Sequence, residues 1–333
     1  MKPLAGLALV LLVPAAAAVS LLVGGTPLSI EQVAGALAHP HRADTLNVIV
    51  WQLRLPRVCI AATVGAALAL CGAMLQGMLR NPLADPYLTG VSAGAAAAIA
   101  IAMLAGASAA AIPAIGFVAG LGAALLVAAL ARRGSGIDAN RLILAGVSLS
   151  TLFAAIVTLA VVRAQSSNYA GTIVAWLAGS IAGRGWHDLL TTAPYLAAGT
   201  FLALLSIAPL NALRIGDLRA RAVGVDVERA QWVILAGSSL FAASSVVLAG
   251  LVGFIGLIVP HLARRIAGSN AVALLPACAA IGAALCMLAD AVCRSIVAPA
   301  ELPIGVLLAF IGVPTFLYLY LRPATAAARS ARR

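Results

Sequence analysis

Ten apolar runs, at about 4–24, 57–79, 88–106, 111–131, 141–162, 189–209, 230–249, 251–267, 272–296 and 304–321, take up most of this 333-residue chain. The hydrocarbon core of a bilayer is crossed by about 20 residues of helix. Within it every backbone N–H and C=O must be paired inside the protein, which a helix does with its own chain. Composition points the same way: 63% of residues are hydrophobic, 9% are charged and mean hydropathy is +1.08. A soluble domain needs roughly 25% charged residues to cover its surface. The expected fold is an all-α polytopic membrane protein, a single domain over residues 1–333 with about ten transmembrane helices. The first run, preceded by Lys2, has an alternative as a signal peptide. Its apolar stretch exceeds the 7–15 residues usual for one, so a retained anchor is expected. The two runs flanking Gly250 admit another division.

The net charge of +11 raises the question of nucleic acid. A nucleic-acid module gathers its basic residues on one soluble face; here they punctuate apolar runs, the pattern by which membrane proteins set orientation. With Met1 inside, 15 of the 21 basic residues fall on the cytoplasmic side. The other 6, Arg42, Arg54, Arg57, Arg163, Arg184 and Arg294, fall outside. Both termini are then cytoplasmic. Cys59, Cys71, Cys278, Cys286 and Cys293 lie mostly in apolar segments without metal-ligand spacing and read as small buried hydrophobes; neither a metal site nor a cofactor is expected.

Three loops look like more than connectors. Residues 25–56 lie outside and bring two arginines around Leu55-Pro56. Residues 163–188, also outside, hold Trp176 and Trp186 and suit a helix lying at the interface. Residues 211–229 lie inside and form the most charged stretch, with Asp217, Arg219, Arg221 and Val225 in a regular Leu/Val spacing. They predict two short amphipathic helices broken at Gly224, suited to a soluble partner. Small residues recur four apart at Gly90/Gly94 and Gly116/Gly120, which favours close helix approach in lipid.

Enzyme motifs fare poorly. Gly90-Val91-Ser92-Ala93-Gly94 matches G-x-S-x-G, but that motif needs a strand–turn–helix setting and a histidine base; here it opens an apolar helix. There is no H-E-x-x-H, and the only lysine is Lys2, so the chain has no G-K-[ST] phosphate loop. Catalytic residues are therefore not expected, and energy must come from a partner or an ion. Of the ten acidic residues, only Asp290 falls within a run, one helical turn before Arg294, where the two can neutralise each other. A proton relay across the membrane finds no further member, so an energy-supplying partner is favoured over an ion-coupled secondary transporter.

A family pattern runs from about residue 50 to 321. Arg54-Leu55-Pro56-Arg57, the segment 65–76, Arg80-Asn81-Pro82-Leu83-Ala84-Asp85-Pro86, Gly90-Val91-Ser92-Ala93-Gly94, the segment 253–264, Asp290 with Arg294, Glu301-Leu302-Pro303-Ile304-Gly305 and Gly312-Val313-Pro314 resemble the FecCD-like permeases. These are the membrane subunits of ABC importers for iron siderophores, haem and cobalamin. The resemblance implies a homodimer with the pathway at its interface, in the bacterial inner membrane. Two cytoplasmic ATPase subunits and a periplasmic substrate-binding protein would be its partners. It assigns Arg54, Arg57 and Arg294 to docking of the binding protein, a role that exposed arginines without acidic neighbours would suit; anchoring to lipid headgroups is the alternative. It assigns Asn81, Pro82 and Leu83 to a cytoplasmic gate, and Asp217, Arg219, Arg221, Gly224 and Val225 to coupling with the ATPase. Arg163 and Arg184 are extra outer cations, open equally to contact with an anionic ligand and to interface anchoring. Among cargoes, haem is placed first, ferric siderophore close behind and cobalamin third.

Overall fold

A computed structural model describes residues 3–40, 44–108, 110–134, 136–164, 169–297 and 300–321. Lys2, Arg42 and the arginines of 322–333 lie outside these residues, and with them both chain ends. Each of the ten apolar runs contains a helix. These helices are α1 (Pro3–Leu22), α3 (Thr45–Leu79), α4 (Val91–Leu104), α5 (Ile112–Ala131), α6 (Ala139–Ala164), α8 (Trp186–Leu205), α11 (Val227–Ala249), α12 (Ile255–Ala267), α13 (Ala271–Ile296) and α14 (Ile304–Leu321). Four short helices lie between them: α2 (Ile30–Ala38), α7 (Tyr169–Leu177), α9 (Ile207–Leu213) and α10 (Asp217–Ala222). One antiparallel pair, Arg132↔Ile137 and Arg133↔Gly136, closes the turn from α5 to α6.

Six of these helices, α3, α5, α6, α8, α11 and α13, are long and apolar enough to cross a membrane. α4 and α12, with 14 and 13 residues, rise only about 20 Å each, against roughly 30 Å of hydrocarbon. α12 is also amphipathic and ends on Arg264 and Arg265. The boundary at Gly250 holds: its φ of 68° lies where glycine is at ease and other residues are strained. Both short helices follow segments outside the α-helices, 80–90 (with one 3-10 turn at Pro86–Thr89) and 250–254, and those segments meet. Tyr87 packs on Gly253 and Pro86 on Gly256. Irregular backbone of this kind survives at depth only when protein encloses it.

α3 and α11 form the centre, while α6 and α8 stay largely exposed, apolar side chains outward. Glycine sets the spacing at the centre. A Cβ on Gly65 would sit 2.1 Å from the Gly282 carbonyl oxygen, and one on Gly72 would sit 2.0 Å from that of Gly256. The pairs expected to matter do so too. A Cβ on Gly94 would meet Ala123 at 2.4 Å, and one on Gly116 would meet Ile99 at 2.6 Å, along the α4–α5 contact.

One expectation needs correction. The short helices near 211–229 are α9 and α10, and the break between them falls at Gly216 (φ 103°). Gly224 (φ 87°) instead ends the turn that leads into α11. α7, at the place expected for an interfacial helix, has one face against the bundle, with Ile173 buried and Trp176 on the cluster that includes Ile99 and Ala102, and one face open, with Val174 52% exposed. Trp186 donates its indole N–H to the Trp51 carbonyl at 2.9 Å.

Candidate functional site

α3 and α13 run antiparallel and carry their charges to opposite ends. At one end Arg54, Arg57, Asp290, Arg294 and Glu301 form a single cluster. Asp290 is 1% exposed and accepts from both Arg57, at 2.9 to 3.1 Å, and Arg294, at 3.0 Å. The second face of the Arg57 guanidinium grips Glu301 through two bonds of 2.9 Å. Arg294 also donates to the Ser20 carbonyl and hydroxyl, at 2.9 and 3.0 Å. Arg54, which ends a π-helical stretch over Val48–Arg54, donates to the carbonyls of Leu21, Leu22 and Thr26. The last carbonyls of α1 lack helical partners, and these guanidinium groups supply them. The pairing of Asp290 with Arg294 is as expected. The premise of exposed arginines without acidic neighbours is not met: Arg54 and Arg294 are each 6% exposed, and Arg57 has two carboxylate partners.

At the other end, Arg80 takes a left-handed backbone (φ 52°) to close α3. Asn81 then makes a tight turn, its side-chain oxygen accepting from the Leu83 N–H at 2.9 Å, with Pro82 and Leu83 exposed. Gln76 is a residue the sequence did not single out. Buried in α3, it donates to the carbonyls of Ala84 and Gly256 at 3.2 and 3.1 Å and accepts from Arg264 at 2.7 Å. One amide thus ties the 81–84 turn to both ends of α12. A lone glutamine in an apolar run, closing the family-like segment 65–76, is the signal that could have revealed it.

The segment 207–229 lies beside that turn. Asp217 pairs with Arg80 at 3.3 Å, and Glu228 with Arg132 at 3.1 Å. Arg219, Arg221 and Gly224 are exposed, Val225 is half-buried, and Ile215, Leu218 and Val223 stand out at 52%, 86% and 65% exposure. Three large apolar side chains thus stand exposed within one short charged stretch.

Between the two ends lies a cavity of about 460 Å³ lined by Asp85, Tyr87, Leu177, Phe254, Gly305 and Val306. Asp85 caps the turn of Pro86–Thr89 by accepting from the Tyr87 N–H at 2.9 Å. Burial pushes its carboxyl up from 3.8 to about 6, opposed by that bond. The folded chain then holds the proton more tightly than the unfolded one. The contribution of Asp85 to stability is therefore full below about pH 4, is lost as pH rises to about 6, and is level above. Asp85→Asn keeps the acceptor and should abolish that decline, which is worth at most about 3 kcal/mol. Unfolding temperatures of both chains between pH 4 and 7 check this.

Of the two extra outer cations, Arg184 is bonded to Asp188 at 3.1 Å, and Asp188 also accepts from the Gly185 N–H. Arg163 is exposed near the end of α6. The structure does not bring the two together in one described contact.

Comparison with known proteins agrees with this architecture. The sequence model of the FecCD transport family matches residues 10–322. The cobalamin import system permease protein BtuC of Halobacterium salinarum is 39% identical over 277 residues, covering 83% of this chain and 74% of that protein. The hemin transport system permease protein HmuU of Yersinia pestis is 36% identical over 280 residues, covering 82% and 83%. A solved structure of a metal-chelate type ABC transporter in an inward-facing conformation superimposes with a TM-score of 0.84 at 35% identity, covering 94% of this chain and 97% of that one. With six membrane-length apolar helices, the chain is a multi-pass membrane protein, and it belongs to the FecCD transport family.

Proposed function

We propose that this chain is the membrane-spanning permease of an ATP-driven importer, with hydrolysis carried out by separate ATPase subunits docked on residues 211–229. The observation that carries the reading is the exposed set Ile215, Leu218 and Val223 among Asp217, Arg219 and Arg221. The set sits next to the Asn81-Pro82-Leu83 turn through the Arg80–Asp217 pair. A push on α10 reaches the turn through that pair, which is how ATP-driven movement would open a gate there. Ten crossings, both termini in the cytoplasm, a homodimer with a central pathway and an inner-membrane location complete the proposal.

Asp217→Arg places two like charges together and should uncouple the machine: hydrolysis by the assembled complex persists while uptake falls at least about tenfold, or 1.4 kcal/mol of coupling. Unchanged uptake per ATP would remove the segment from the coupling role.

A periplasmic binding protein would dock at the opposite end. Three arginines against two carboxylates leave that cluster with one net positive charge, and the Arg57–Glu301 pair at its exposed edge can exchange for a partner's carboxylate. Arg57→Glu makes the cluster net negative and should weaken docking by about tenfold or more at low salt, chiefly in the association rate. Docking that ignores the reversal would leave these arginines with their structural role alone.

The cargo we favour is an iron chelate, haem before ferric siderophore, on the strength of the exposed Arg163 as a contact for a carboxylate. Arg184, bonded to Asp188, is the other outer cation open to that contact. Cobalamin has equal support from the relatives, since one is named for cobalamin and another for hemin. Binding of haem, ferric siderophores and cobalamin to the cognate binding protein decides among them. Tight binding of cobalamin alone would replace the haem reading.

The meeting of the segments before α4 and α12 favours a second reading, an ion-coupled carrier, because broken helices of this kind can hold ions. No cluster of three or more His, Cys, Asp or Glu that could hold a metal ion occurs among the described residues.

A further inference from the structure

A second cavity, of about 340 Å³, opens at the basic end between α3, α9, α12 and α13. Its polar wall carries Arg80, Arg214, His261 and Arg264; its apolar wall includes Leu210 and Leu274. No carboxylate lines it among the described residues. Asp217 meets Arg80 at 3.3 Å but does not reach the cavity.

The basic groups are spent only in part. Arg264 gives one N–H to Gln76, and Arg214 gives one to the Ser269 carbonyl at 2.5 Å. Each guanidinium has five N–H donors. The Nε2 of His261 is buried with no partner among the described residues. Arg214 and Arg264 are close enough to repel each other, and like charges held together in a partly buried site favour an anion between them.

We infer that this cavity binds the phosphate of an anionic membrane lipid, with the headgroup between Arg214, Arg264 and Arg80 and the upper part of an acyl chain against Leu210 and Leu274. Arginine is suited to phosphate through its planar fork of donors, and a basic pocket between helices at the cytoplasmic side is a lipid-headgroup geometry. The apolar wall selects a lipid over a free phosphate, which would leave it bare. A headgroup held there joins three moving parts: Arg80 at the end of α3, Arg214 between α9 and α10, and Arg264 of α12. It would brace the 81–84 turn against the coupling segment. The leaflet rests on the orientation proposed above; the binding itself does not rest on transport.

The test is native mass spectrometry of the full chain in mild detergent, titrated with phosphatidylglycerol or phosphatidylcholine of matched acyl chains. The wild-type chain should retain phosphatidylglycerol preferentially. Arg214→Gln should weaken that retention by about fivefold and leave phosphatidylcholine unchanged. Arg265→Gln removes an equal charge from the exposed side of the same helix end and should change neither. Equal retention of the two lipids by the wild-type chain, or equal loss in both variants, overturns the site. If excess inorganic phosphate displaces the lipid and alone stabilises the wild-type chain but not Arg214→Gln, the ligand is a free anion and the lipid assignment fails. Each outcome is read without ATP, so failure here leaves the transport proposal standing.

Discussion

Replacing Asp290 with alanine should destabilise the helix bundle by about 3–5 kcal/mol, the range for removing one partner of a buried ion pair. Asp290 is the buried carboxylate that holds Arg57 and Arg294 together. Without it, Arg294 keeps only neutral partners, the Ser20 hydroxyl and backbone carbonyls, inside the protein. Arg57 keeps Glu301, whose side chain is 37% exposed. Glu301→Ala is the matched comparison, because it removes a pair at the rim and pairs of that kind are worth about 0–1 kcal/mol. Unfolding of the purified chain in detergent should therefore rank wild type and Glu301→Ala close together, with Asp290→Ala far below. Equal effects of the two substitutions would mean that the cluster is solvated and the buried carboxylate holds nothing.

Gly72→Val should be at least as damaging, by about 3 kcal/mol or more, and the chain should fail to accumulate in the membrane. Overpacking usually costs about 1–3 kcal/mol because neighbours can shift. Here the first atom added lies 2.0 Å from the Gly256 carbonyl oxygen and 2.6 Å from the Gly256 Cα. Backbone on a crossing helix cannot rotate away as a side chain can. The clash also falls where Gln76 binds the Gly256 carbonyl, so separating α3 from α12 releases the 81–84 turn as well. Gly122→Ala in α5, where an added Cβ meets nothing within 4 Å, should be neutral to slightly stabilising. Membrane-fraction yield and detergent unfolding of the two variants make the comparison.

The helices were legible because lipid solvates them from outside: an apolar run has to become a helix whatever lies beside it, so the ten runs and the division at Gly250 could be read directly. What could not be read was set by contacts distant in sequence. Arg57 and Glu301 are 244 residues apart, and nothing local distinguishes an arginine held by a distant carboxylate from one left open for a partner. Gln76 is similar, a single amide whose importance comes from Gly256 and Arg264, far along the chain. The break between the two short helices was misplaced for a subtler reason. Gly216 and Gly224 both have positive φ, so the residue type marks both turns, and only packing decides that the helical pair ends before Val223. The turn at 81–83, by contrast, was local chemistry: asparagine accepting from the N–H two residues on, followed by a proline that cannot continue a helix.

ATP-driven permeation is tested most directly by uptake into proteoliposomes that contain this chain, with the ATPase partner and binding protein added or omitted. Haem, a ferric siderophore and cobalamin are each supplied outside. The proposed division of labour predicts uptake of one of them only when both partners and ATP are present, with no uptake by the chain alone under a proton or sodium gradient. Uptake by the chain alone on such a gradient would contradict it.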